Sequence, residues 1–283
     1  MELLPVKHRF RARRGLTRLL ATGPDFDLVE AALWVAAEEY PELDVDRELG
    51  RVRLISAEGA RRVNGLANPF ARLDGLRVYL FEELGFRGNI DKYNDPRNCY
   101  LNEVLERRLG VPLTLSILFN EVADAAGFEA RGVGLPGHFV SAVTWDRRCL
   151  LVDPFHGGQV ISEEDCRQLV ARTTGRPSLF RRTVLQGTDA RSTLARLLVN
   201  LKHMYVERGE YARALAAVER LLLVTPDSPK EIRDRGFLQA HLGRAGAAIV
   251  DLEAYLARSP DAPDKERIQG RVAWLRRRLS ETN

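Results

Sequence analysis

Three residues recur at one spacing in the last third of the chain: Gly209 and Gly243, Ala214 and Ala248, Pro226 and Pro260 each stand 34 positions apart. A period of that length fits a pair of helices with their turns, so this segment is expected to stack rather than to form a single globular core. Antiparallel helices need a glycine where the chain reverses and a small side chain where they come closest. Each pair leaves an apolar face open unless a neighbour covers it. About three units are ordinarily needed for stability, and here there are two. The segment RIQGRVAWLRRRL, ending at Leu279, is expected to serve as a capping helix. Its inward positions are Ile268, Val272, either Trp274 or Leu275, and Leu279, while the arginines at 276–278 read as a solvated face.

The two copies, LVNLKHMYVERGEYARALAAVERLLLVTP and RDRGFLQAHLGRAGAAIVDLEAYLARSP, resemble the tetratricopeptide repeat. By that resemblance Tyr205, Tyr211 and Ala214 sit where the first helix of a repeat packs on the second. Such stacks present a concave surface that grips peptides or helices. Asn200, Tyr205, Tyr211 and Gln239 are the candidate binding residues of this groove region, and the expected partner is another protein or peptide.

Upstream the periodicity is mixed. FDLVEAALWVAAEEY and LDGLRVYLFEEL carry apolar residues at helical spacing. Asn98 reads as the N-cap of a helix running to Leu109, with Gly110 closing it. Pro112 then opens a second helix, PLTLSILFNEVADAA, apolar around most of its circumference and therefore expected to be central. Gly127 ends it. Beyond that the pattern changes to period two, giving strands over 130–135, 139–145 and 149–154, the last two joined by a turn at Asp146 and Arg147. A helix over 163–171 and a basic loop lead to a domain boundary expected near residue 185. The resulting division is a basic arm over 1–24, a first domain over 25–185, and the repeats with their capping helix over 186–283.

Composition bounds the function. No run of about 18 apolar residues is present, which argues against a spanning helix. The first residues lack the continuous apolar stretch of a secretory signal. Three cysteines are too few and too scattered for a disulfide framework, which points to a reducing, cytoplasmic setting. A net charge of +4 gives no ground for wholesale nucleic-acid binding. The arm bearing Lys7, Arg9, Arg11, Arg13, Arg14 and Arg18 reads as a solvated or partner-facing tail. GLPG and HGGQ lack the lysine and the strand-to-helix context of a phosphate loop. His203 and His241 have no ligand partner at metal spacing, and His156 reads as a loop residue. No metal and no cofactor are therefore expected. The sequence does not set the oligomeric state.

One constellation could carry chemistry. His138 and Asp153 lie on neighbouring strands of the expected hairpin, where a carboxylate can orient an imidazole. Their order after the buried helix resembles the transglutaminase-like, papain-related core. In that core the nucleophilic cysteine stands at the helix start, which here is Pro112. Proline has neither a nucleophile nor an N–H. With EEYPELD, YLFEELGFRGN, NCYLNEVLERRLGVPLTLS, GLPGHF and DPFHGG, the chain resembles the SirB1 family from about Phe26 onward. That resemblance implies a helix-rich α+β transglutaminase-like domain with a small antiparallel sheet, followed by an all-α tetratricopeptide stack. It also implies proline at position 112 and a regulatory or interaction role. The expected function is thus a non-catalytic, SirB1-type binding or regulatory protein. The alternative is a cysteine- or general-base-dependent amide-bond enzyme, with Cys99, at a helix start, as the replacement nucleophile and His138 and Asp153 as base and orienter. Thr114 and Ser116 are weaker nucleophile candidates, better used in bonding back to helix carbonyls.

Overall fold

The arginine-rich start of the chain is not a solvated arm. In the computed structural model, which describes residues 6–282, it forms helix α1 (Val6–Leu20). Ala12, Leu16 and Leu20, spaced four apart, are buried where α1 packs on α2 (Leu28–Ala37). Gly15 permits the approach, because a Cβ there would stand 2.6 Å from the Trp34 ring. Arg13 turns inward to pair with the buried Glu38 at 2.7 Å. The arginine count hid this apolar stripe. Residues 1–5 of the expected arm lie outside the described residues.

Side-chain caps set the next helices. Asp27 accepts from the Glu30 N–H to start α2, and Asp44 accepts from the Arg47 N–H to start α3 (Val45–Val63). Asn68 starts α4 (Pro69–Arg77), which continues into a π-helical turn over Val78–Glu83. Strand β1 (Arg87–Gly88) pairs in parallel with β2 (Leu109–Gly110). Between them lie a 3₁₀ turn, Pro96–Cys99, and helix α5 (Leu101–Arg107). Asn98 is therefore not an N-cap. Its side-chain oxygen accepts from Asn89 Nδ2 at 2.9 Å, and its amide nitrogen donates to the Lys92 carbonyl. Arg108, with a left-handed φ of 60°, closes α5 before Gly110 is reached.

Helix α6 (Pro112–Ala125) is central as expected, with ten buried residues from Pro112 to Ala123 and Gly127 after it at φ 82°. It packs on β3 (Glu129–Val133) and β4 (Val140–Trp145) of an antiparallel sheet ordered β3-β4-β5-β6. Strand β5 is Arg148–Asp153, and the short β6 (Gln159–Ile161) is an addition to the sequence reading. Asp146 and Arg147 both adopt positive φ in the β4–β5 turn, the mirror-image conformation that matches strand twist. Helix α7 (Glu163–Thr174), started by a Ser162/Asp165 capping box, seals the sheet through Cys166, Leu169 and Val170.

This first compact unit runs to Leu197, past the boundary expected near residue 185. The reason is local. The Thr188 N–H donates to the Gly132 carbonyl at 2.7 Å, tying the segment after residue 185 to β3. The second unit begins at Leu198, within helix α8 (Ala190–Glu207). It continues through α9 (Tyr211–Val224), α10 (Pro229–His241), α11 (Ala245–Arg258) and α12 (Lys265–Thr282). Gly209 and Gly243 take the turns at φ 70° and 75°, and Ala214 and Ala248 are wholly buried. Helix α12 covers α11 with Ile268, Val272 and Leu275, leaving Trp274 exposed. Among the described residues no helix is long and apolar enough to cross a membrane.

Candidate functional site

The β4–β5 register pairs Ser141 with Val152, so the start of β4 and the end of β5 are neighbours. His138 stands just before β4, after Gly137 at φ 75°. Two bonds fix its backbone: its N–H donates to the Leu135 carbonyl at 3.2 Å, and Arg196 Nη2 donates to its own carbonyl at 2.7 Å. Asp153 ends β5 and caps the 3₁₀ turn Pro154–His156. One carboxylate oxygen, Oδ1, accepts from the N–H groups of Phe155 and His156 at 3.0 and 3.4 Å.

The other oxygen, Oδ2, serves two imidazoles. His138 Nε2 lies 2.9 Å from it and His156 Nδ1 lies 2.8 Å from it. The two rings stack at 5.6 Å with 29° between their planes, and Phe155 meets the His138 ring edge-on. His138 and Asp153 are buried, at 5% and 1% exposure, whereas the His156 side chain is 46% exposed. Burial alone would raise the Asp153 carboxyl, but the hydrogen bonds from His138 and His156 outweigh it and hold the group well below the usual carboxylate range. The bond to Asp153 raises the His156 pKa, opposed by partial burial. A carboxylate acceptor calls for a proton on the His138 Nε2 that faces it.

The expected His138–Asp153 pair is thus brought together. Cys99 is placed differently from its expected helix start: it ends the 3₁₀ turn and is completely buried. Burial pushes its thiol up to about 12, far from the thiolate that catalysis needs near neutral pH. Pro112 occupies the first turn of α6, as the sequence indicated. Thr114 Oγ1 donates to the Asn98 carbonyl at 2.8 Å, tying α6 to the 3₁₀ turn. Ser116 is wholly buried, and its hydroxyl makes no hydrogen bond among the described residues, so it does not back-bond as expected.

The candidate groove residues divide. Tyr205 is buried within the repeat and presents no binding surface; Tyr211 is half-buried and stacks on His241 at 4.6 Å. Asn200 and Gln239 are half-buried on α8 and α10. His156 and Arg196 are the site residues that sequence reasoning missed. The Asp-Pro-x-His spacing was the available signal for His156, since a proline after a capping aspartate begins a turn that returns the third residue to it. His156 also corrects the expectation of no ligand set, because one donor atom from each of His138, Asp153 and His156 lies within 4.8 Å of the others.

A profile of the transglutaminase-like superfamily matches residues 46–199, and one of the tetratricopeptide repeat matches residues 201–273. A UPF0162 protein of Xylella fastidiosa strain Temecula1 is 33% identical over 93% of this chain and 96% of its own length. The chain belongs to the UPF0162 family. Other UPF0162 relatives include one from Vibrio cholerae, 28% identical over 89% of this chain and 94% of its own, and YchA of Escherichia coli K12, 26% identical over 83% and 86%. No solved structure matches the chain. The UPF0162 matches agree with the SirB1-type order of a transglutaminase-like domain followed by tetratricopeptide repeats.

Proposed function

We propose that this UPF0162 protein is a non-catalytic binding or regulatory protein of the cytoplasm, holding another protein or peptide through its tetratricopeptide repeats. The observation that carries the reading is Pro112 at the start of α6, where a transglutaminase-like enzyme would bear its nucleophile. The substitute, Cys99, is buried with its thiol raised, which weighs against the cysteine-dependent form of the amide-bond enzyme reading. Tetratricopeptide repeats generally mediate protein–protein contact. No disulfide joins Cys99, Cys149 and Cys166, which suits a reducing compartment.

The test is affinity capture with the full chain and with the double variant Tyr211→Ala, Gln239→Ala. The expected result is reproducible enrichment of a defined protein that binds the purified chain directly and is lost with the double variant. Failure to enrich any protein directly, or alkylation of Cys99 faster than a free thiol in a manner abolished by His138→Ala, overturns it.

A further inference from the structure

We propose that His138, Asp153 and His156 form a binding site for one divalent transition-metal cation of the zinc type. The three donor atoms that face one another are His138 Nε2, Asp153 Oδ2 and His156 Nδ1. Two of the three separations are already short, 2.9 and 2.8 Å, and all lie within 4.8 Å. Ligands about 2.0–2.1 Å from a tetrahedral zinc stand roughly 3.4 Å from one another. Admitting the ion therefore needs each nitrogen to move about half an ångström from the carboxylate oxygen, and the two nitrogens, which lie within 4.8 Å of each other, to stand about 3.4 Å apart.

The donor set selects the ion. Two imidazole nitrogens and one carboxylate oxygen suit zinc and its neighbours, whereas magnesium and calcium prefer oxygen alone. The protons balance without a further reactant. Each imidazole faces Oδ2 with a ring nitrogen; with the metal bound, that nitrogen carries no proton and the ring keeps one on the opposite nitrogen, Nδ1 of His138 and Nε2 of His156. Two coordination bonds replace two hydrogen bonds, and any proton beyond one per ring leaves to solvent.

The surroundings hold the ligands in place. Asp153 Oδ1 is occupied by the Phe155 and His156 N–H groups, which aims Oδ2 at the two rings. Arg196 clamps the His138 carbonyl, and Phe155 lies edge-on against the His138 ring. Three protein ligands leave a fourth position for water or a ligand carboxylate, and the exposed side of His156 gives that position access from solvent. The inference does not depend on the function proposed above, since a bound ion would serve a binding protein and an enzyme alike.

The test is calorimetric titration of the tag-free full chain, stripped with chelator, with zinc chloride, alongside cobalt(II) absorption. One zinc per chain is expected, with a tetrahedral cobalt spectrum. His156→Ala, at a half-exposed position and checked for an intact fold by circular dichroism, should weaken binding at least about tenfold. Cys149→Ser, which removes the exposed thiol, should leave it unchanged. Absence of saturable binding in the native chain overturns the proposal, as does binding that survives His156→Ala unchanged or is lost with Cys149→Ser. None of these outcomes bears on whether the repeats capture a protein, so the two readings fail separately.

Discussion

Arg196 holds His138 by its main chain: the guanidinium Nη2 donates to the His138 carbonyl at 2.7 Å and to the Leu135 carbonyl at 2.5 Å. The contact joins α8 to the segment between β3 and β4, where the sheet alone leaves those carbonyls unpaired by strand partners. Burial lowers the arginine pKa, opposed by Tyr93. Replacing Arg196 with Met should therefore destabilise the first unit by roughly 2–3 kcal/mol, with two acceptors losing a charged donor. Denaturant unfolding checks this, and an unchanged midpoint would show that the two bonds contribute nothing net.

Thiol reactivity separates the three cysteines. Cys149 is exposed, whereas Cys99 and Cys166 are buried with thiols pushed up to about 12, chiefly by desolvation. Iodoacetamide near neutral pH should modify Cys149 quickly and the other two only in denaturant. Mass mapping of the modified peptides reads the outcome; early modification of Cys99 would contradict its burial.

Gly137 has a left-handed φ of 75°, and a Cβ there would overlap the Thr173 side chain on α7. Gly137→Ala should cost about 1–3 kcal/mol through backbone strain, with the clash added to it. The paired variant Gly137→Ala, Thr173→Gly should recover the clash contribution and leave the strain. If thermal melting gives the single and double variants the same loss, the contact with Thr173 is irrelevant.

In the repeats, the ammonium of buried Lys202 on α8 donates to Glu231 at 2.7 Å and to Asp234 at 2.8 Å on α10. Lys202→Met would strand a buried carboxylate and should destabilise by roughly 3–5 kcal/mol. Adding Glu231→Gln should return part of that loss. Equal stability of the single and double variants in urea would argue against a stranded charge as the cause.

The repeats were legible because their signals are local. Gly209 and Gly243 must reverse the chain, and Ala214 and Ala248 must sit where helices touch, whatever surrounds them. The His138–Asp153 pair was legible because a short hairpin fixes which residues face each other. Less of the remaining site could be read. His156 reaches Asp153 only through a 3₁₀ turn, and Arg196 reaches His138 across 58 positions of sequence, a contact that no periodicity announces. Position 98 misled for a related reason. Asparagine is a good cap in isolation, but here Pro96 has already begun a tighter turn and Asn89 claims the side-chain oxygen. In α1, arginine density outweighed three apolar positions that tertiary packing then used.

Helix α8 runs unbroken from Ala190 to Glu207, while the chain divides after Leu197. Arg196 belongs to the first half of that helix and Lys202 to the second. A gene truncated ahead of the helix would encode a transglutaminase-like fragment deprived of the guanidinium that secures its histidine. One truncated behind it would leave repeats whose carboxylates at 231 and 234 have lost their lysine.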